Sequence, residues 1–236
     1  MPIFKLRDEI LFPPVELAAE SGILAVGGDL SPQRLLEAYR RGIFPWYSED
    51  DPIIWWSPDP RFVLFPEEMK VSRTMRQVLR RGLFRISFDT AFRAVVEGCR
   101  SGREKQPGTW ITDDMADAYG KLHDLGYAHS VEAWRGDDLA GGLYGISLGR
   151  CFFGESMFYT VSNASKAAFI VMVRALMERD FALVDCQVHT AHLESLGARF
   201  IGRERYVSLL EEHLKFPTLR GSWEHFLSDV ESPEER

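Results

Sequence analysis

Apolar and polar positions along this chain repeat with two periods, and the changes from one to the other mark its elements. Arg85–Phe88 reads as a strand, and Phe92, Val95, Val96 and Cys99 then recur at helical spacing behind Asp89, which is placed to cap that helix. A polar loop over 100–108 follows, and Thr112 is placed to cap a second helix ending at Gly126. Three strands come next, over 128–134, 139–148 and 150–158, joined by turns at 135–138 and at Gly149. Ser162 or Asn163 opens a strongly apolar helix to about Arg179, and the apolar run over 181–188 has the length of a strand covered on both faces. A short helix closed by Gly197, a last strand and a last helix complete the pattern. The order βααβββαβα, with a further β and α, predicts a mixed sheet in an α/β layer architecture.

The first part of the chain is dense in Gly, Pro and Trp. Ser31 and Pro32 have the chemistry of an N-cap and first helical position, with Leu35, Leu36 and Tyr39 as the apolar stripe and Gly42 as the stop. GGDLSP lacks the preceding buried strand and the Lys-Ser or Lys-Thr pair of a phosphate loop, so a structural role is expected. Residues 42–60 hold Trp46, Tyr47, Trp55 and Trp56 among prolines, a rigid aromatic segment that either plugs a small core or walls a pocket.

Polar residues interrupt two of the buried strands. Asp185 and Gln187 stand at i and i+2, which in a regular strand sends both side chains from one face while Cys186 points the other way. A buried carboxylate needs a polar reason, which is either a cap on the following turn or a functional site. Glu155 breaks the strand over 150–158, sharing a face with Phe153 and Met157 if that strand is regular. It either faces a common cavity with Asp185 or pairs with a cation such as Lys166. A third feature is KVSRTMRQVLRR, where Val71, Met75, Val78 and Leu79 share one helical face and Lys70, Arg73, Arg76 and Arg80 another. A stripe of one sign is either a solvated face or a polyanion-binding surface.

Composition narrows the class. The 236 residues, 45% hydrophobic, can bury a sizeable core, and the net charge of −7 argues against general nucleic-acid binding outside a local basic face. Three scattered cysteines give neither a disulfide framework nor a zinc pattern, and the histidines form no ligand motif, so no metal and a reducing compartment are expected. Acids near the N-terminus exclude a signal peptide there, and no apolar run has membrane-spanning length, so a soluble cytoplasmic protein is expected.

The motifs GGDLSP, RGIFPWYS, WWSPDPR, EGC with GTWIT, GYAHSVE, GGLYGI, GESMF, NASK, LVDCQV and SLGA occur in this order along the chain. Together they closely resemble those of the bacterial leucyl/phenylalanyl-tRNA–protein transferases. The resemblance implies transfer of Leu or Phe from tRNA to the N-terminal amine of proteins beginning with Lys or Arg, marking them for degradation, with no cofactor. It also implies a GNAT-like catalytic domain over 63–236 beside a small N-terminal α+β domain over 1–62. By the same resemblance the catalytic acid and amide fall on Asp185 and Gln187, and a pocket-lining glutamate on Glu155. The aminoacyl pocket takes in Trp46, Trp110, Leu143, Phe152, Met157, Phe169 and Met172, and the tRNA surface takes in Lys70, Arg73, Arg76, Arg80 and Arg81. An aminoacyl ester is already activated, so Asp185 is expected to orient and deprotonate the amine through or beside Gln187. The rival is an acyl-CoA N-acyltransferase, whose glycine-rich pyrophosphate loop is replaced here by TVSNASKAA.

Overall fold

The computed structural model describes residues 3–101 and 111–227. The N-terminal part forms β1 (Phe4–Leu6), β2 (Ile23–Gly27), α1 (Pro32–Arg40), β3 (Phe44–Pro45) and β4 (Ile54–Trp56). Then come β5 (Arg61–Leu64), α2 (Arg73–Arg80), β6 (Arg85–Phe88), α3 (Phe92–Ser101) and α4 (Asp113–Asp124). The chain continues with β7 (Ala128–Arg135), β8 (Asp138–Leu148), β9 (Cys151–Tyr159) and α5 (Ala164–Met177). It ends with β10 (Leu183–Gln187), α6 (Ala191–Glu194), β11 (Arg199–Ile201) and α7 (Arg203–His213). From β6 onward this is the predicted order, with ends moved by a few residues.

The strands pair into two sheets. A four-stranded sheet of order β1-β2-β4-β3, with α1, makes the small α+β unit expected at the N-terminus. The larger mixed sheet has order β11-β5-β10-β9-β8-β7-β6, antiparallel throughout except that β10 runs parallel to β9. That parallel pair requires a crossover, and α5 supplies it. The division expected at 62 and 63 falls inside β5, which is hydrogen-bonded between β10 and β11 in the large sheet.

Two cores cover the sheet. One face packs against α1, α3, α4, α7 and the N-terminal strands, in a cluster that joins Leu24, Tyr39 and Trp55 to Phe153 and Tyr206. The other packs against α2, α5 and residues near the C-terminus, joining Met75, Phe152, Phe169, Leu196 and Trp223. The apolar character of α5 all round follows from its place in the second core, where ten of its residues are buried.

Ser31 and Thr112 cap as expected, accepting from Arg34 N at 3.4 Å and Met115 N at 3.2 Å. Asp89 does not cap α3. Its backbone is left-handed at φ 54°, and its carboxylate accepts from the backbone N–H groups of Ser130 and Trp223 and pairs with His129. Ala91 N, just before α3, donates instead to Glu132 of β7. Asn163 sits at the start of α5 with φ 72° and makes no side-chain cap. GGDLSP is structural, as expected, although a partly buried strand, β2, does run directly into it, contrary to the sequence reading. Asp29 accepts from Ser31 N and from Arg34, and Arg34 donates on to the carbonyls of Arg7, Asp8 and Glu9, tying the start of the chain to α1.

Candidate active site

β9 and β10 pair only as far as Phe153 and Asp185. Beyond that point Glu155 forms a bulge in β9, where Gly154 and Ser156 oppose the consecutive residues Gly145 and Tyr144. Gln187 takes φ 62° where β10 shifts register against β5. The two strands therefore part with one polar residue at each irregularity.

These bulges correct two expectations. Phe153, Glu155 and Met157 do not share a face. Phe153 and Glu155 meet the first core, Glu155 through Tyr39 and Tyr119, while Met157 packs on the second beside its cross-strand partner Leu143. Asp185 and Gln187 do not meet side chain to side chain either. Gln187 N donates to Asp185 Oδ1 at 2.9 Å, and the Gln187 amide turns to Glu155, with Nε2 donating to Oε1 at 2.8 Å. An extra residue in a strand breaks the two-residue alternation on which both expectations rested.

Asp185 is fully buried and its partners fill it. Arg61 donates through Nε at 2.9 Å and through its second amino nitrogen at 2.7 Å, Tyr206 OH donates at 2.7 Å, and Gln187 N is the fourth donor. Four donors occupy the acceptor capacity of a carboxylate, so no position is left for a substrate amine. Arg61 is held in turn between the rings of Phe44 and Tyr206, at 4.6 and 4.7 Å. Burial opposes its charge, and Asp185 opposite more than restores it, so its pKa is raised. Asp185 thus locks the backbone of Gln187 within a bidentate ion pair.

Among the described residues Glu155 finds no cation. Tyr39 donates to Oε1 and Tyr119 to Oε2, both at 2.7 Å, alongside Gln187 Nε2, so the expected alternative pairing with Lys166 is replaced by two tyrosines. Burial pushes the Glu155 carboxyl up to about 7 against those three hydrogen bonds, which favour the ionised form. Tyr39 and Tyr119 also meet each other at 2.6 Å, linking α1 and α4 at the site. Sequence reading saw Tyr39 only as part of an apolar stripe and passed over Tyr119 and Tyr206, because a tyrosine at helical spacing reads as core. Arg61 was visible only inside WWSPDPR.

A cavity of about 290 Å³ opens at the parting. Leu143, Phe152, Met157, Phe169 and Met172 line it, together with Val184 and Cys186, and Glu155, Asp185 and Gln187 lie at its polar end. Cys186 faces away from the Asp185 ion pair, as expected, and all three cysteines are buried. Trp46 is not among the lining residues. It is 39% exposed and packs on Trp56, whose Nε1 donates to Trp46 O, while Trp55 plugs the first core. Trp110 lies outside the described residues.

Lys70, Arg73, Arg76, Arg80 and Arg81 are all exposed on or beside α2, whose Met75 and Val78 are buried in the second core. Among the described residues no ion pair holds these four arginines. The described residues also contain no cluster that could hold a metal ion, and no helix long and apolar enough to cross a membrane.

The leucyl/phenylalanyl-tRNA protein transferase family model matches residues 63–211, and the model of that family's N-terminal domain matches 28–59. A leucyl/phenylalanyl-tRNA–protein transferase of Syntrophus aciditrophicus is 61% identical, covering 94% of each chain. One from Myxococcus xanthus is 54% identical over 94% of this chain and 97% of its own. Among solved structures, an aminoglycoside acetyltransferase from an uncultured soil metagenomic sample covers 57% of this chain and 89% of its own at 13% identity and TM-score 0.38. L-PGS from Bacillus licheniformis covers 84% of this chain and 65% of its own at 10% identity and TM-score 0.39, and neither likeness carries weight at these scores. On the family models and on relatives above half identity over nearly its whole length, the chain belongs to the leucyl/phenylalanyl-tRNA–protein transferases, a family of aminoacyltransferases.

Proposed function

We propose that this aminoacyltransferase moves Leu or Phe, and also Met, from tRNA to the N-terminal amine of proteins beginning with Lys or Arg, acting in the cytoplasm to mark them for degradation. The observation that carries the reading is a cavity with apolar walls that ends on the Glu155–Gln187 pair. Leu143, Phe152, Met157, Phe169 and Met172 enclose an apolar side chain without offering it a hydrogen bond, and the polar end receives the ester and the incoming amine.

The chemistry is aminolysis. The amine nitrogen attacks the ester carbonyl, the carbon–oxygen bond to the terminal ribose breaks, the ribose oxygen leaves with a proton, and a peptide bond forms. No covalent enzyme intermediate is needed, which suits a site whose cysteines are buried thiols; burial pushes the Cys186 thiol above its ordinary range. Gln187 Nε2 is committed to Glu155, and among the described residues Oε1 accepts no hydrogen bond, so Oε1 is the group that receives an N–H of the amine. Glu155 fixes the amide's orientation, and Asp185 acts through the backbone of Gln187 as a positioning residue. An acyl-CoA donor finds no glycine-rich pyrophosphate loop before α5, where TVSNASKAA stands.

The test is transfer of labelled Leu, Phe, Met, Ile and Val from their tRNAs to peptides that differ in the first residue. Leu, Phe and Met are expected to transfer, with Ile and Val poorer because branching at Cβ crowds the ester end. Peptides beginning with Arg or Lys are expected to accept and those beginning with Asp or Glu to fail. Equal transfer of Val and Leu would remove the pocket from the explanation, and acceptance by Asp-peptides would overturn the proposed choice of acceptor.

The α2 stripe is the proposed tRNA surface, through Lys70, Arg73, Arg76, Arg80 and Arg81. Reversing Arg76 and Arg80 to Glu is expected to weaken tRNA binding and to reduce the slope of log affinity against log salt by about 2, close to one for each lost phosphate contact. An unchanged slope in a folded variant identifies the stripe as a solvated face.

A further inference from the structure

We infer that the exposed rings of His189 and Phe200 form a stacking platform for a nucleobase of the single-stranded 3′ end of the donor tRNA, next to the esterified adenosine. The inference deepens the proposed donor site and rests on it. Val188 and Thr190, the neighbours of His189, both line the cavity, so His189 stands on its rim. The inner layer is Phe62 of β5, buried in the second core, with ring centroids 5.1 Å from His189 and 4.9 Å from Phe200. His189 and Phe200 then lie 5.8 Å apart with planes only 21° from parallel.

Both outer rings remain open, Phe200 at 51% exposure and the His189 side chain at 43%. A single exposed phenylalanine needs no explanation. Two nearly parallel rings, inclined at 73° and 60° to the buried Phe62 ring and standing at the mouth of this cavity, each keep about half of their surface open for a base to stack on. Glu194 Oε2 meets His189 Nε2 at 3.1 Å, which fixes the ring through its edge and leaves a face free.

The surroundings favour a nucleic acid over the acceptor peptide. Lys70 N donates to Leu196 O at 2.8 Å, joining the approach to the basic helix to the turn that closes α6, and His189 immediately precedes α6. The basic helix, α6 and the apolar lining of the cavity all pack on the second core, so they share one face of the large sheet. An RNA held by α2 with its aminoacyl end in the cavity has to pass this rim. A stacked base there needs no sequence match, because every base has a π-face. An acceptor beginning with Lys or Arg would seek an unpaired acid, and Glu194 is already paired with His189.

The experiment compares the wild type with His189→Ala, Phe200→Ala and the double variant. Three donors are used, namely Phe-tRNA, a phenylalanylated CCA trinucleotide and 3′-phenylalanyl-adenosine. The double variant is expected to raise KM for the first two by roughly 5- to 100-fold, the range one stacked base supplies, and to leave kcat and the nucleoside donor unchanged. Phe200→Trp is expected to retain wild-type values. Binding of a fluorescent, uncharged ACCA oligoribonucleotide requires no transfer and is expected to weaken by the same factor. The inference is overturned by equal loss with all three donors, by a change confined to peptide KM, or by unaltered oligonucleotide binding. Failure of the transferase reading has a different signature, absent transfer in the wild type with oligonucleotide binding intact.

Discussion

Gln187→Ala is expected to lower kcat by about 10²- to 10³-fold while tRNA affinity stays within about twofold, as measured by single-turnover transfer and by filter binding. The amide ends the cavity with an Oε1 that accepts no hydrogen bond among the described residues, and Glu155, Tyr39 and Tyr119 hold it in place from behind. Near wild-type turnover in this variant would return the role to another group. Glu155 adds a pH signature. Its carboxylate accepts all three donors, so wild-type rate is expected to rise as pH passes about 7, and Glu155→Gln to lose that limb. The acceptor's own amine, ordinarily near about 8, contributes a second limb that the variant keeps. The stability effect has the opposite sign. A carboxyl whose native pKa is raised from 4.5 to about 7 leaves the unfolded chain ionised first, so stability is lost as pH rises through that window. Glu155→Gln is expected to flatten that decline in urea unfolding.

Arg61→Met is expected to destabilise the protein by about 3–5 kcal/mol in urea unfolding, because it strands the Asp185 carboxylate in a fully buried site. Arg61→Met combined with Asp185→Leu removes both charges and is expected to regain most of that stability. The double variant is expected to remain slow in transfer, since Gln187 N has then lost its acceptor. Recovery of stability together with full turnover would show that the ion pair serves only the fold. If the double variant is no more stable than Arg61→Met, the cost lies in packing against Phe44 and Tyr206.

From β6 onward the order of elements was legible because it depends on periodicity, which tertiary packing did not override, whereas the short strands β1 to β5 carry too few residues to show a period and were not read. The caps at Ser31 and Thr112 were legible for the same reason, since each is decided within four residues. Asp89 was misread because its carboxylate is claimed by partners about 40 and 134 residues away in the chain, Ser130 and Trp223. The apolar lining of the cavity was placed through the family resemblance, and five of its residues do converge on one volume. Trp46 does not, because its ring packs on Trp56 outside that volume.

Composition and period alone were enough to mark the strands from β6 onward, the polar residues that break β9 and β10, and the basic helix. The sequence also marked Asp185, Gln187 and Glu155 as polar groups requiring partners. Only the tertiary structure decided who those partners are. The bulges at Glu155 and Cys186 arise from pairing with β8 and β5, so no local pattern announces them. They part β9 from β10 and turn Gln187 toward Glu155, while Arg61 and Tyr206, distant in sequence, close around Asp185. Side-chain direction in a strand follows a two-residue rule only while the ladder is regular, and the site lies where the ladder is not.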